Sequence, residues 1–170
     1  MKALFFSLTT IVLSFSSLRA EDPKEWVKIA NDEAKYQTLF PAKPEETSAK
    51  GSQKFVLERE NGKVALLLMV NDIGKGVDID NPEIVKATLG KVGESIVQRL
   101  KGSKLLTEKE TKFGKYPAKE IDVESPQFGI YRTRVIFTGS RLYQVTILGP
   151  KEYQEGAEAK KFMESFKLGD

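Results

Sequence analysis

The chain contains neither histidine nor cysteine. Without histidine it lacks the commonest side-chain base and the commonest zinc or copper ligand. Ser-His-Asp, Cys-His and histidine-based metal sites therefore cannot be assembled within one copy. Without cysteine no disulfide can staple the fold, and a cysteine-linked lipid anchor after a signal sequence is closed as a route. Stability has to come from a packed core. A chain of this size supplies one by burying about 68–70% of its surface, and the 40% apolar fraction is ordinary for a globular domain. A phosphate-binding glycine loop is also missing. Gly74-Lys75-Gly76 lacks the required spacing and has no Ser or Thr after it. There is no internal repeat and no low-complexity segment.

A long stretch free of charge occurs once, at the start. Lys2 precedes Ala3 to Phe15, an apolar stretch broken only by Ser and Thr, and Ala20 can close a cleavage site despite the larger Leu18. This predicts a secretory signal peptide over residues 1–20 and one mature domain over 21–170, periplasmic or secreted. A membrane-spanning anchor needs about 20 apolar residues, more than this run holds. No transmembrane span is expected after its removal. Losing Lys2 and Arg19 from 27 basic residues leaves 25 against 24 acids, a net charge of +1. That near-neutrality gives no global support for nucleic-acid binding, which needs a concentrated basic face.

The remaining pattern reads as strands and two helices. Tyr36 to Phe40 alternates and stops at Pro41, and the Pro41–Ser52 stretch reads as a turn-rich connection. Asn61-Gly62 lies between two strand-like runs, the strongest short hairpin signal. A two-residue turn there pairs Arg59 with Val64, Leu57 with Leu66 and Phe55 with Leu68, on the core face. Val56, Leu67 and Met69 make the opposite face partly apolar too, so something should cover it. Pro82 suits a first helical position, capped by Asn81 or Asp80, and Gly102 suits the stop. Val85, Leu89, Val92, Ile96 and Leu100 form one helical stripe. Gly90 and Gly93 interrupt it and suggest close packing against a sheet. Lys104–Thr111 and Ala118–Val123 read as strands around a turn at Phe113–Pro117.

Gly129–Phe137 and the alternating run within Gly139–Pro150 form the last hairpin. A three-residue loop, Gly139 to Arg141, puts Tyr131, Thr133, Val135 and Phe137 on one face with Tyr143, Val145 and Ile147. A two-residue Gly139-Ser140 turn would separate the two sets, because a one-residue slip flips every side chain. Matching apolar parity favours the three-residue loop. The stripe Ala159, Phe162, Met163, Phe166 makes a short closing helix. The order predicts an α+β domain with a largely antiparallel sheet and helices on both faces.

Trp26, the strand closed by Phe40-Pro41-Ala42-Lys43-Pro44, Gly114-Lys115-Tyr116-Pro117-Ala118, Arg141-Leu142-Tyr143-Gln144-Val145 and Phe162-Met163-Glu164-Ser165-Phe166 together resemble the PsbP-like superfamily. The resemblance runs from Trp26 to Leu168. It implies an antiparallel sheet with helices on both sides and says little about function, since members of the superfamily do very different things. It carries no active site, because these are turn and core signatures.

Few residues stand out as a site. Asp72, Asp78, Asp80 and Glu83 crowd one loop, as oxygen ligands for a hard cation would, but the spacing is not that of an EF-hand, and Asp80 and Asn81 serve as helix caps. Arg132 and Arg134 share a strand face, with Lys112, Lys115 and Lys119 on neighbouring segments. They form a candidate partner surface, or else a solvated face paired with Glu120, Asp122 or Glu124. Tyr116, Tyr131 and Tyr143 either line a groove or belong to the core. No catalytic, cofactor-binding or metal-binding residue is assigned, and no cofactor is expected. The expected role is an exported non-enzymatic domain binding another envelope protein. The alternatives are a small-molecule or lipid carrier using a cleft between sheet and helix, and a carboxylate hydrolase. N-terminal sequencing of the native protein should give Glu21 as first residue; an intact Met1 would reject the leader.

Overall fold

The structure is a computed structural model that describes residues 25–74 and 76–169. The predicted signal peptide lies outside the described residues. In chain order the elements are β1 (Val27–Asn31), β2 (Tyr36–Phe40), β3 (Glu45–Ala49), β4 (Ser52–Arg59), β5 (Val64–Asp72), α1 (Pro82–Arg99), β6 (Lys104–Phe113), β7 (Tyr116–Ser125), β8 (Gly129–Phe137), β9 (Arg141–Gly149), α2 (Lys151–Gln154), α3 (Ala157–Ser165) and β10 (Lys167–Leu168). They build a seven-stranded sheet, β3-β4-β5-β9-β8-β7-β6, and a three-stranded sheet, β1-β2-β10. All the strand pairs are antiparallel.

The β4–β5 hairpin follows its turn chemistry. Asn61 and Gly62 both take positive φ, 55° and 81°, as does Glu60. Asn and Gly are the residues that accept this backbone at least cost. The register pairs Arg59 with Val64, Leu57 with Leu66 and Phe55 with Leu68, as predicted. Helix α1 is also where the periodicity puts it. Asn81 is the N-cap, its Oδ1 accepting from the Glu83 and Ile84 amides at 3.1 and 3.4 Å, with Pro82 at the start.

The large sheet is buried on both faces. On one side α1 lays Leu89 and Ile96 against Ile121, Val123, Val135 and Phe137. On the other, Phe55, Leu66, Leu68, Val70, Ile136, Tyr143, Val145 and Ile147 meet Phe162 and Phe166 at the chain's end and Tyr36 and Phe40 of β2. This is the antiparallel α+β arrangement with helices on both faces that the element order predicts. Ring contacts knit the second layer: Phe40 to Phe162 at 4.9 Å, Phe113 to Phe166 at 5.7 Å and Tyr143 to Phe166 at 5.8 Å between centroids.

Three expectations need correction. The Pro41–Ser52 stretch holds a strand, β3, exposed along its whole length. The turn between β6 and β7 is only Gly114-Lys115, with Phe113 opposite Tyr116. The β8–β9 hairpin has the two-residue turn. Phe137 pairs with Leu142, Ile136 with Tyr143 and Arg134 with Val145. Gly139 has φ +88°, and a Cβ there would lie 2.7 Å from the Val77 carbonyl oxygen. Glycine at the first turn position favours the tight turn. Parity misled because it assumes one buried face. Here Val135 and Phe137 are buried under α1 while Tyr143, Val145 and Ile147 are buried beneath α3 and β2. The two apolar sets never needed to match.

The helix glycines separate into two cases. A Cβ on Gly93 would sit 2.7 Å from Glu108 Oε1 and 3.4 Å from Ile121 Cδ1, whereas nothing lies within 4 Å of one on Gly90. Gly90→Ala should therefore raise stability by about 0.5–1 kcal/mol through helix propensity alone. Gly93→Ala should lose that gain, because it pushes Glu108 off Lys119. Urea unfolding of both variants checks this; equal gains would mean α1 sits further from the sheet.

Candidate functional site

Strand register decides where the expected cationic surface goes. Arg132 lies opposite Asp122 and Arg134 opposite Glu120 on β7. Arg132 donates to both Asp122 oxygens at 3.0 Å, and Arg134 to Glu120 Oε1 at 3.0 and 2.7 Å. Arg134 also lies 5.8 Å over the Phe113 ring. Lys119 is one residue from Glu120, so it points to the other face. There, beneath α1, it is 7% exposed and donates to Glu108 Oε1 at 2.8 Å. Lys115 sits in the β6–β7 turn, 5.4 Å from the Tyr116 ring centroid. The four residues thus do not share one patch. Two form a charge-matched ladder, one is buried on the opposite face, and one is at a hairpin tip.

The other candidates are also placed. Tyr143 is buried and donates to the Ala34 carbonyl at 2.7 Å. Tyr131 belongs to the α1 side and Tyr116 to the α3 side. In the acidic loop, Asp72 Oδ1 accepts from Gly74 N and Asp78 Oδ1 from Asp80 N. Among the described residues no three His, Cys, Asp or Glu come together to hold a metal.

A different set of cations converges instead. In the small sheet Lys28 lies opposite Leu39 and Lys167 opposite Gln37. All four therefore share its outer face, since directly paired residues point the same way. The inner face puts Phe40 and Tyr36 into the core. Ser165 locks α3 onto this sheet: its Oγ accepts from Leu39 N at 2.9 Å and donates to the Phe162 carbonyl at 2.8 Å. That docking brings Lys161 to the same groove, its ammonium 4.3 Å above the Trp26 ring. The groove has a volume of 380 Å³ and is lined by Lys28, Lys161, Lys167, Gln37, Leu39, Glu164 and Ser165 among others. An adjoining groove of 510 Å³ shares Lys28, Gln37 and Lys167 and runs on to Asp32 and Lys35. Sequence reading missed this set because its members come from opposite ends of the chain. The available signal was the alternation Val27-Lys28-Ile29-Ala30, which marks a strand with Lys28 facing out.

A second concavity lies between α1 and strands β5 and β9. It measures 650 Å³, and its lining includes Met69, Ile73, Val77, Val92, Ile96 and Leu142, with Gln144 and Arg99. It exists because α1 packs over β6, β7 and β8 and leaves the same face of β5 and β9 partly open.

No protein-family model and no curated protein sequence matches the chain. Solved structures do. The solution structure of cyanobacterial PsbP from Synechocystis sp. PCC 6803 superposes with a TM-score of 0.63 at 9% identity, over 91% of this chain and 99% of that one. The chain has the PsbP-like fold. The crystal structure of the Saccharomyces cerevisiae Ran-binding protein Mog1p matches with a TM-score of 0.46 at 10% identity, over 86% of this chain and 97% of that one. The likeness to cyanobacterial PsbP is one of architecture and assigns no residue a role. Among the described residues no helix is long and apolar enough to cross a membrane.

Burial leaves its mark on four tyrosines. Burial, followed by Glu46, pushes Tyr36 up to about 12. Burial also raises Tyr131 and Tyr143, and Tyr153 is raised by burial and by donating to Glu158. A raised folded value means the unfolded chain releases its proton first. Stability is then fully present below the ordinary value of 10.0 and is lost as pH climbs towards about 12. The urea midpoint should fall across that window while tyrosinate absorbance of the native protein lags. A flat midpoint, or native tyrosines titrating like free ones, would contradict the burial.

Proposed function

We propose that this chain is an exported, non-enzymatic domain that binds another envelope protein, presenting the lysine-lined outer face of its small sheet to an acidic segment of that partner. One observation carries the reading. Lys28, Lys161 and Lys167 converge on one groove, and none has a carboxylate within ion-pair distance among the described residues. Elsewhere Arg59, Lys119, Arg132 and Arg134 are each matched by a carboxylate. Glu164 also lines the groove, so three ammoniums against one carboxylate leave it net positive, and such a field steers an oppositely charged partner and favours its docking. The ladder at Arg132 and Arg134 supports a partner surface less, since its charges are already satisfied. The lack of histidine and cysteine supports a role without catalysis, and the stretch Lys2 to Phe15 supports export.

A second reading, a carrier of a small apolar molecule, is favoured by the 650 Å³ cleft beside α1, whose size falls in the range of about 300–1,000 Å³ typical of ligand sites.

Affinity capture from the native envelope fraction, read by mass spectrometry, tests the first reading. The wild-type protein should retain a protein partner. Lys28→Glu/Lys167→Glu should recover at least about tenfold less of it, with Lys63→Glu/Lys101→Glu as a charge-matched control that retains it. Equal recovery by all three proteins would dismiss the lysine face, and no partner on the wild type would dismiss the reading itself.

A further inference from the structure

The cleft beside α1 has two unlike ends, and that asymmetry selects a class of ligand. At one end stand Ile73, 37% exposed, and Val77. Both are held in place from below: Ile73 N donates to the Ser140 carbonyl at 2.9 Å and Val77 N to the Gly139 carbonyl at 2.8 Å. Ile84, in the first turn of α1, completes this apolar end. From Ile84 to Arg99 the helix runs about 22 Å at 1.5 Å per residue. The floor follows the same direction. Leu142 lies opposite Asn71, and two residues further along Gln144 lies opposite Met69. At the far end Arg99, in the last turn of α1, lines the cleft. Among the described residues it is the one charged member of the lining, and it has no carboxylate within ion-pair distance.

We propose that this cleft binds a single-chain amphipathic anion, a long-chain carboxylate being the simplest case, with its tail at Ile73 and Ile84 and its head at Arg99. A lone guanidinium matches one carboxylate and leaves a polyanion's further charge unmatched. The floor of Met69 and Leu142, with the Gln144 amide opposite Met69, takes the chain between the two ends. The inference rests on the carrier reading and adds the charge of the cargo to it.

Methyl NMR of the purified protein, titrated with dodecanoate and with dodecan-1-ol below micelle formation, tests it. Dodecanoate should shift the Met69, Ile84 and Ile96 methyls and saturate. Arg99→Gln should weaken dodecanoate at least about tenfold and leave dodecan-1-ol within about twofold. Ala87→Trp, at an exposed position on the cleft wall, should abolish binding of both at an unchanged thermal midpoint. If both probes bind in the cleft and neither responds to Arg99, the anion assignment fails and the carrier reading stands. If Arg99→Gln weakens both alike, the head-group role fails as well. If neither probe shifts these methyls, or the shifts fall elsewhere, the cleft is not the site and the carrier reading falls with it.

Discussion

Burial of the seven-stranded sheet on both faces is the constraint from which most of this structure follows. A sheet wetted on one side shows clean alternation, because one set of side chains meets water. Here α1 takes one face, and α3 with β2 takes the other. Consecutive residues such as Val135 and Ile136 are then both buried. Charged residues on such strands have to find partners, and they do. Lys119 meets Glu108 beneath α1, and Thr133 and Thr146, also buried, bond to each other at 2.8 Å. An unpaired group in either place would cost a full desolvation penalty of about 1–3 kcal/mol.

The covering layers are incomplete, and the open parts form the two grooves. Helix α1 leaves its side of β5 and β9 partly bare, which makes an apolar cleft with Arg99 at one end. The small sheet closes the opposite layer, and among the described residues no further layer packs over its own outer face. Lys28 and Lys167 stand there because the inner positions of the same strands are occupied by core residues. The two grooves are thus by-products of how the layers are closed, one apolar and one cationic, on different sides of the molecule.

Polar staples hold those layers in register. Arg59, at the end of β4, makes a two-pronged contact to Glu158 of α3 at 2.8 and 2.9 Å, and Tyr153 donates to the same carboxylate at 2.9 Å. Ser165 ties the other end of α3 to β2. Both are charge-assisted or multiply satisfied contacts at the margin of the core, where geometry counts more than net energy. They fix the position of Lys161 relative to Lys28, and so the cationic groove depends on them.

Local chemistry by itself determined much of the fold. The Asn61-Gly62 turn specified its register because few residues tolerate positive φ, and Asn81-Pro82 specified the start of α1 because a cap and a preset φ coincide there. The closing helix was legible for the same reason through Ala159 and Phe162, while Phe166 of the same stripe falls just past its end as the extended C-cap. What no local pattern could decide was which face each strand presents. The β8–β9 parity pointed to the wrong loop, since the sheet's second buried face is a property of the assembled layers. The exposed strand β3 carries no apolar alternation and was read as a connection. The cationic groove was invisible because Lys28 and Lys167 come within reach only when β10 pairs with β2, across nearly the whole chain. Arg132, Arg134, Lys115 and Lys119 looked like one surface in the sequence. Only the pleat of β7, and the hairpin tip beyond it, set them apart.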